Sequence, residues 1–578
     1  MNLKPRSQAL FAYAATLLLT VAALIVVLRL WKADLAIPLE YEGDALEAGL
    51  LVKGVVDTGW YLSNGFVGMP HGLDLRGFPF SANIIHFLTI KILAFFVSDW
   101  ASVMNGFFLL TFPLTALSAL FVFRRFKLAY APSIAGSLLY AFLPYHFFRG
   151  EQHLFLAAFY VVPLMVMVVL WVCSGEIPLP ARGNLKALFS DKRLVAGAAI
   201  CLLTASSDIY YAFFACLFLL VAGVKGSIAR ASRGPIQSAV FFAFTITVAV
   251  LAGLSPTFCY QRLNRGALSI RPRAASESEN TGLKIDQLLL PANGENIRVL
   301  AELRKKYDRT APLVNENRSA VLGLAGGLGF VLLIAAAIFR EDLLASSLLE
   351  NLSVLNIAGV LYAATGGFGS LFAYMVFPDF RSLNRVSVFL GFFSLFAVVI
   401  VLDKLLKRFS TSRRSARIGW GAIAAFAVLG LWDQTGRGFD YPADSVKAEY
   451  LNDARFVAAI EASVPERAMI FQLPVMPFPE SPRGYEHLKG YLHSNKLRWS
   501  YGAMGEAAAR QREVESKPPA EFVAAIAGAG FKGIWIDRGG YPDEGAALES
   551  KLAALLKTRP IVSDDGRRSF FGLPGYKL

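Results

Sequence analysis

Long apolar runs, separated by polar connections, dominate the chain. A helix needs about 17–25 apolar residues to span a bilayer, and the sequence supplies roughly eleven candidate runs, some of them short. The first run, Ala9–Leu28, follows Lys4 and Arg6 and ends in Arg29-Leu30-Trp31-Lys32 without a small-residue cleavage site. The pattern predicts a polytopic α-helical membrane protein with about 11 transmembrane helices and its N-terminus inside.

Basic connections alternate with connections that carry acidic, aromatic or histidine residues. The strongest basic connection is Lys404–Arg417, and Arg340-Glu341-Asp342 is the weakest inside signal. The predicted spans are about 9–30, 101–123, 129–144, 154–174, 194–206, 210–224, 236–254, 319–339, 352–365, 387–403 and 418–432. Alternate loops of such a protein share a side, so we expect the groups suited to chemistry at the outer face.

Residues 1–433 form the predicted transmembrane domain, which includes two long outer loops at 31–100 and 255–318. The first loop contains the apolar stretch Ile84–Val97, which is short for a span and holds Lys91. A charge at mid-bilayer costs about 2.5–3.5 kcal/mol. We therefore predict an interfacial helix on the outer face, with a membrane-spanning helix as the alternative.

The tail, residues 434–578, has no run long enough to span a bilayer. Its apolar segments predict strands at Ala468–Phe471, Gly533–Ile536 and Ser569–Leu573 and helices at Pro519–Gly528 and Glu544–Leu556. Strands that alternate with helices predict a small α/β domain. An odd number of spans after an inside N-terminus places this domain outside the cytoplasm.

Composition agrees with this architecture: 55% of the residues are hydrophobic, 17% are charged, and the mean hydropathy is +0.48. Soluble domains have about 25% charged residues. The net charge of +14 comes from Lys and Arg that flank apolar runs. They form no stripe of the kind that binds nucleic acid, so membrane lipids are the expected partners. The four cysteines form no CxxC motif, which argues against disulfides and zinc.

The first candidate for chemistry is Asp44, a few residues beyond the first run and flanked by Glu40, Glu42 and Glu47. A carboxylate at the membrane edge is able to act as a general base toward a hydroxyl or to bind a divalent metal. The alternative is a solvated acidic loop.

The connection between the third and fourth runs carries His146, Arg149, Glu151 and His153, far more chemistry than a tight turn needs. The planar fork of Arg149 suits phosphate. The two histidines are about two helical turns apart, which weakly indicates a metal site formed by both. The alternative is that the connection anchors the protein at the membrane interface.

Two further outer connections carry candidates. Asp208 lies between two short runs and is either a substrate contact or the cap of the next helix. Arg381, Asn384 and Arg385 open the tenth run, and arginines on the outer side run against the positive-inside rule. A bound anion explains them, and Arg271-Pro272-Arg273 adds to the same positive surface.

The arrangement resembles the GT-C superfamily of integral-membrane glycosyltransferases. It also resembles bacterial membrane proteins described as YfhO-like or sugar-translocase-like. The phrases that carry the second likeness are Gly59-Trp60-Tyr61, Pro144-Tyr145-His146, Arg149-Gly150-Glu151-Gln152-His153, Leu288-Leu289-Leu290-Pro291 and Asn315-Glu316-Asn317-Arg318. The resemblance covers most of the chain by layout and only short stretches by motif.

The resemblance implies transfer of a sugar from a polyprenyl-phosphate-linked donor to an envelope glycan, lipid or protein outside the cytoplasm. The superfamily's acidic residue in the first outer loop maps to Asp44, or less well to Glu42. Gly43 separates the two, so the adjacent Asp-Glu pair of some members is absent.

We therefore expect an inverting glycosyltransferase of a bacterial inner membrane, with Asp44 as the base and Arg149, Arg381 and Arg385 on the lipid phosphate. No cofactor is required, and no metal is assigned, although a divalent cation on Asp44 and Glu151 stays open. A transporter or flippase for lipid-linked sugars is one rival, and a non-catalytic envelope assembly protein is another. Transporters place their polar site near the midplane, whereas the polar groups here gather at one face.

Overall fold

The computed structural model describes residues 5–77, 83–177, 179, 190–263, 273–292, 294, 296–339, 346–436, 444–479 and 482–573. The membrane part contains the helices α1 Pro5–Val27, α2 Asp44–Thr58, α3 Ile84–Ala94, α4 Trp100–Arg125, α5 Tyr130–Ala141, α6 Pro144–Arg149, α7 Leu154–Ala157, α8 Val162–Cys173, α9 Lys192–Ala205, α10 Ile209–Arg230, α11 Gly234–Gly253, α12 Ser255–Leu263, α13 Glu277–Asn280, α14 Ile285–Leu289, α15 Arg298–Thr310, α16 Gly323–Ile338, α17 Ser347–Ala363, α18 Phe368–Met375, α19 Ser387–Phe409 and α20 Arg413–Gln434. Short 3-10 turns at Glu316–Ala320 and Leu383–Val386 precede α16 and α19.

Six helical segments in the described part of the chain are long and apolar enough to cross a membrane. They are Arg6–Val27, Trp100–Arg125, Ile209–Arg230, Gly234–Gly253, Leu383–Phe409 and Arg413–Gln434. The chain is thus a mostly helical, multi-pass membrane protein. Helices of 12 to 17 residues overlap the remaining predicted spans and are shorter than the six, so the count of about 11 and the orientation stay predictions.

One predicted span differs in its first part. The run 154–174 is not a continuous helix, because α7 ends at Ala157 and α8 begins only at Val162. Pro163 lies in the first turn of α8, where its missing N–H costs nothing. Residues 152–156, just before this break, line a cavity.

The helix α3 has 11 residues, so it is about 16 Å long and cannot cross a hydrocarbon core of about 30 Å. It buries Phe87 and Ile90 and exposes Leu88 and Ile92. This is the geometry of an interfacial helix, and its place in a membrane stays a prediction. The loop 255–318 contains the short helices α12 to α15, whereas Arg271 and the Arg340-Glu341-Asp342 signal lie outside the described residues.

The centre of the bundle is α19, which packs against α5, α16 and α17. A Cβ added at Gly329 of α16 would stand 2.0 Å from the backbone oxygen of Ser394, so the two helices meet closely at this glycine. On another side, the ring of Phe392 stacks on Phe123 with centroids 5.3 Å apart. The buried helix fixes where its N-terminal turn, and hence Arg385, emerges.

The tail contains a five-stranded sheet whose strands, from one edge to the other, are Arg498–Trp499, Met469–Leu473, Phe531–Asp537, Arg568–Gly572 and Ile561–Val562. The elements from 444 onward are α21 Asp444–Ser463, β3 Met469–Leu473, β4 Pro482–Tyr485, α22 Leu488–His493, β5 Arg498–Trp499, α23 Gly505–Glu515, α24 Pro519–Gly528, β6 Phe531–Asp537, α25 Ala546–Leu556, β7 Ile561–Val562 and β8 Arg568–Gly572, while β1 Ser63–Asn64 and β2 Leu73–Asp74 form a separate hairpin. β3 is parallel to β5 and β6, and β8 is antiparallel to β6 and β7. The predicted small α/β region is confirmed, with strand ends shifted by one or two residues.

The tail and the first outer loop share one hydrophobic cluster, in which Leu46 and Phe108 pack together with Ile470, Trp499 and Trp535. Two polar contacts reinforce it. Trp100 Nε1 donates to the carbonyl of Leu492 at 2.8 Å, and Lys53 Nζ donates to Asn495 Oδ1 at 2.7 Å. The division into domains at residue 433 stays a prediction, because a common core crosses it.

Candidate functional site

Asp44 is the first residue of α2, and its position follows from the residue before it. Gly43 has φ +54 and precedes the helix, a backbone conformation that glycine adopts without strain. The Asp44 side chain is 50% exposed, and its Oδ2 lies 3.7 Å from Nε2 of His153. The predicted base is therefore accessible and held at a helix N-terminus, where a negative charge is favoured.

Segments far apart in the sequence meet at Asp44 around one cavity of about 210 Å³. Its polar lining consists of Asp44, Glu47, Asn83, Gln152, His153, Asp208, Tyr210 and Arg385, and its other lining residues are Ala48, Leu51, Leu154, Phe155, Leu156 and Ile209. Four of the predicted site residues, Asp44, His153, Asp208 and Arg385, are thus brought together. The cavity combines charged groups with an apolar surface.

A reciprocal contact holds the two loops of the site against each other. The carboxylate of Glu40 accepts the backbone N–H groups of Glu151 and Gln152, both at 2.9 Å. Glu151 in turn accepts the N–H of Glu40 at 3.0 Å. Gly150 permits this approach, since it has φ +46 and an added Cβ would stand 2.8 Å from Glu40 Oε2. Glu151 is fully buried, which raises the pKa of its carboxyl. Its role is structural, because it holds the two loops together and is not among the residues that line the cavity.

Among the described residues that line the cavity, Arg385 is the one with a guanidinium. It lies over the ring of Tyr210, 4.2 Å from the centroid, and its Nη2 is 3.7 Å from Glu316 Oε2. Burial opposes the ionisation of Glu316, but the charges of Arg385 and Arg149 outweigh it and lower its pKa to about 2. Arg385 is thus held in place by an aromatic face and a carboxylate.

Arg149 lies behind this position and does not line the cavity. Its side chain is buried, donates to Glu316 Oε2 at 2.9 Å, and donates to Ser319 Oγ and Asn384 Oδ1 at 3.0 and 3.1 Å. Arg381 is farther out and pairs with Glu277. The expectation of three arginines on one phosphate therefore needs correction, because Arg149 and Arg381 are not among the described residues that line the cavity, and Asn384 supports Arg149.

His146 is fully buried and its ring stacks on Phe112, with centroids 3.7 Å apart. Its Nε2 pairs with Thr111 Oγ1 at 2.7 Å, and its Nδ1 pairs with the carbonyl of Ala141 at 2.8 Å. The expected substrate or metal contact of His146 is not what the structure shows, because both ring nitrogens are used inside the protein.

The cavity residues do not fit a divalent cation well. Within the described ranges, no group of three or more His, Cys, Asp or Glu is arranged to hold a metal. Asp44 and Glu151, the pair named for this role, differ in setting, since Asp44 is exposed to the cavity and Glu151 is sealed behind backbone hydrogen bonds.

The titratable groups of the cavity have different proton affinities. Burial raises the pKa of Asp44 against the opposing charge of Arg385. Burial and the neighbouring Asp44 raise the pKa of Glu47 to about 8, although Tyr485 donates a hydrogen bond to it. Burial raises the pKa of Asp208 to about 6, while burial and the charges of Arg149 and Arg385 lower that of His153 to about 3. At neutral pH, Glu47 is mostly protonated and His153 is neutral.

Asp208 also has the local role that its sequence suggests. Its Oδ1 accepts the N–H of Tyr210 at 2.8 Å and that of Tyr211 at 3.4 Å, so it caps α10. Glu42 is exposed and is not among the described residues that line the cavity. Asp44 is the better match to the acidic position of the first outer loop.

Four polar lining residues were not among the predicted site residues: Glu47, Asn83, Gln152 and Tyr210. Glu316, which holds Arg385 from outside the lining, was not predicted either. Glu47 follows Asp44 by one helical turn, so the helical spacing of this pair was the available signal. Glu316, in the segment Asn315-Glu316-Asn317-Arg318, lies just before an apolar run, and Arg385 lies just before another. The pairing of these two positions is visible only in three dimensions.

No protein-family model matches the sequence, and no curated protein matches it. Among solved structures, it is similar to the archaeal oligosaccharyltransferase AglB from Archaeoglobus fulgidus in complex with an inhibitory peptide and a dolichol-phosphate (TM-score 0.47, 11% identity, 98% of this chain and 74% of that chain). A complex of the Archaeoglobus fulgidus oligosaccharyltransferase with Zn and sulfate gives a TM-score of 0.40 at 12% identity, over 96% of this chain and 72% of the other.

The structure is also similar to the arabinofuranosyltransferase AftD from Mycobacteria, with a TM-score of 0.40 and 14% identity. The match covers 94% of this chain and 36% of that chain. All three matches have TM-scores below 0.5 and identities of 14% or less. The chemistry of this chain is derived from its own cavity residues.

Proposed function

We propose that the chain is a membrane glycosyltransferase that moves a sugar from a polyprenyl-phosphate-linked donor to an acceptor outside the cytoplasm. The observation that carries the proposal is the meeting of Asp44 and Arg385 in one cavity. A carboxylate and a guanidinium on facing segments supply the two groups that the transfer needs, a base for the acceptor and a cation for the leaving phosphate. The acceptor is an envelope glycan, lipid or protein.

In the proposed step, the Asp44 carboxylate takes the proton of the acceptor hydroxyl. The hydroxyl oxygen forms a bond to the anomeric carbon of the donor sugar, and the bond from that carbon to the phosphate oxygen breaks. The electron pair of the broken bond leaves with the lipid phosphate, which faces Arg385. A single displacement of this kind inverts the anomeric centre.

The proton affinities support Asp44 as the base. Glu47, with a pKa of about 8, holds its proton at neutral pH. Asp208 engages two backbone N–H groups, and Glu151 lies away from the cavity lining. Asp44 is accessible. Burial raises the pKa of its carboxyl, while the charge of Arg385 opposes this shift. A carboxylate with a raised pKa has a greater driving force for proton transfer than an ordinary one.

The fixed position of Arg385 supports its role on the phosphate. Its contacts with Tyr210 and Glu316 orient the guanidinium before any substrate binds. A preoriented cation in a partly dehydrated cavity stabilises a developing charge without further reorganisation. Arg149, ion-paired with the same Glu316, fixes that carboxylate from behind.

The apolar lining supports a lipid-linked donor. Leu51, Leu154, Leu156 and Ile209 line the cavity together with the charged groups. Such a combination suits an amphiphile with a phosphate next to a hydrocarbon chain, because each part meets a matching surface. The tail approaches the site through Tyr485, which donates a hydrogen bond to Glu47. We propose that this tail, 434–578, is an extracytoplasmic domain that helps to choose the acceptor and that the protein lies in a bacterial inner membrane.

The test is sugar transfer in isolated membranes with lipid-linked donors, comparing Asp44→Asn with wild type. We expect the variant to lose at least about a hundredfold in rate, within the range typical of a removed general base. Glu506→Gln is the matched control, because Glu506 is 85% exposed and pairs with Arg510 at the surface. Full activity of Asp44→Asn would remove the base assignment.

Two further outcomes separate the alternatives. If Glu42→Gln, and not Asp44→Asn, abolished transfer, the base would be Glu42. If no variant or wild-type membrane transferred sugar but wild-type membranes translocated the lipid-linked sugar, the protein would be a flippase and the enzymatic proposal would be wrong.

A further inference from the structure

The helix α15 in the second long outer loop exposes an apolar ridge. Val299 is 76% exposed and Leu303 is 49% exposed, and Ile297, just before the helix, is 37% exposed. Val299 and Leu303 are four residues apart, so they lie on the same side of the helix. A ridge of this kind on a charged helix is a candidate contact surface.

The side of α15 next to this ridge is fixed to the protein. Arg304 is buried, where its Nε donates to Asp308 Oδ2 at 3.2 Å and its Nη1 donates to the carbonyl of Pro291 at 3.3 Å. Tyr307 Oη donates to Asp286 Oδ2 at 2.5 Å. These contacts set the rotation of the helix about its axis, so that the apolar ridge points away from the rest of the chain.

Positive charge surrounds the ridge. Four cationic side chains on the helix are exposed: Arg298, Lys305, Lys306 and Arg309. Glu302 is the one exposed acidic residue of the helix, and it pairs with Lys305 at 3.1 Å. An apolar stripe flanked by Lys and Arg is typical of a helix that lies in a membrane interface, with its apolar side about 5–10 Å into the headgroup region.

The start of α15 lies at the end of a candidate membrane span. Asn296 Nδ2 donates to the carbonyl of Trp432 at 2.8 Å, and Trp432 belongs to the last turn of α20. Trp432 is itself 47% exposed. Tryptophan is enriched at membrane–water interfaces, so α15 begins at the level where the bilayer surface is expected.

We propose that α15 is a membrane-surface helix that binds the anionic headgroups of phospholipids, with Val299 and Leu303 in the acyl boundary and Lys306 and Arg309 on the phosphates. This anchoring would fix the second outer loop, which also carries Glu316, beside the bilayer. It stands independently of the transfer reaction, because it depends only on the exposed face of α15 and on the end of α20.

The test places a nitroxide label on Val299→Cys in the full-length protein, with the four native cysteines replaced by alanine, in lipid nanodiscs. The matched control is Lys305→Cys on the same helix. Collision of the label with oxygen, which partitions into lipid, is compared with collision with a water-soluble nickel chelate. We expect the label at 299 to favour oxygen and the label at 305 to favour nickel. A label at 299 that is accessible to nickel, or shielded from both reagents by a protein contact, would overturn the proposal.

A second measurement requires no cysteine replacement. Thermal unfolding of the native-cysteine protein is compared in nanodiscs of phosphatidylcholine with and without phosphatidylglycerol. We expect the anionic lipid to raise the unfolding temperature of the wild type, and we expect Lys306→Gln/Arg309→Gln to lose most of that shift. An equal shift in both proteins would show that the headgroups act elsewhere, and the proposal would fail even if sugar transfer were intact.

Discussion

The carboxylate of Glu316 lies 2.9 Å from the guanidinium of Arg149. The Arg149 side chain is only 2% exposed. Glu316 also approaches Arg385 at 3.7 Å, so one carboxylate organises both arginines. The pair links the 3-10 turn before α16 to the last residue of α6, and it fixes the wall that carries Arg385.

The first prediction concerns the loss of this carboxylate. Glu316→Gln leaves Arg149 buried without a counter-charge, and breaking a buried pair costs about 3–5 kcal/mol. We expect a lower free energy of unfolding in detergent at neutral pH, whereas Glu506→Gln at the surface should change it by less than about 0.5 kcal/mol. Equal stability of the two variants would contradict the role assigned to the pair.

The second prediction compares two arginines that are four residues apart. Arg385 lines the cavity, and Arg381 pairs with Glu277 outside it. Arg385→Gln should lower the turnover number for sugar transfer about 100- to 1000-fold, as expected when one preoriented group that stabilises charge is removed. Arg381→Gln should change it only a few-fold. The measurement is a rate at saturating donor in membranes with matched protein content, and similar losses in both variants would contradict the assignment.

Much of the helical architecture was predictable, because long apolar runs have few alternatives in a membrane protein. The sheet region was also predictable: the apolar run Ala468–Phe471 became β3, and the run Gly533–Ile536 became the centre of β6. The break at Ala158–Val161 was not predicted, although Pro163 is typical of the first turn of a helix and was a signal for a helix that begins there.

For the site, the side of the membrane was predictable, but the residues that face the cavity were not. Topology alone placed Asp44, His153, Asp208 and Arg385 on one side, and side alone does not distinguish a residue that faces a cavity from one that faces the core. His146 and Arg149 lie in the same polar connection as His153, yet both are buried. The partners that decide this difference, Phe112 for His146 and Glu316 for Arg149, lie in distant segments.

The third prediction concerns the contact between the tail and the loop that carries Asp44. Tyr41 Oη donates to Asp453 Oδ2 at 3.1 Å and pairs with His493 Nε2 at 2.8 Å. Tyr41→Phe leaves the buried Asp453 with one donor fewer, which costs about 1–3 kcal/mol. We expect a lower unfolding temperature and faster proteolysis of the tail. Tyr374→Phe, at a side chain that is 59% exposed, is the control. Unchanged proteolysis of Tyr41→Phe would show that the tail docks without this contact.

The fourth prediction uses the two functions of Asp208. Asp208→Asn keeps an oxygen to cap α10 but removes a negative charge near Arg385, whereas Asp208→Ala removes both. We expect only the alanine variant to lose about 1 kcal/mol of stability. The asparagine variant should bind an anionic donor a few-fold more tightly, seen as a lower KM, because the positive potential at Arg385 rises. A KM that increases in Asp208→Asn would instead assign the carboxylate a direct contact with the substrate.

The last prediction concerns the pH dependence of stability through Glu47. The folded protein raises the pKa of this carboxyl from 4.5 to about 8, through burial and the neighbouring charge of Asp44. Between these two values the folded state binds more protons at this group than the unfolded state does. The stability that Glu47 contributes is therefore fully present below about pH 4.5 and is lost as the pH rises toward 8.

Glu47→Gln replaces the group by a neutral one of similar shape, which still accepts the hydrogen bond of Tyr485. We expect the variant and the wild type to unfold at similar temperatures near pH 5. Above pH 8 the variant should be the more stable, because it has no carboxyl to ionise inside the cavity. Thermal unfolding across this pH range measures the difference, with Glu506→Gln as the control that should follow the wild type throughout. A constant offset between Glu47→Gln and wild type would mean that Glu47 titrates normally in the folded protein.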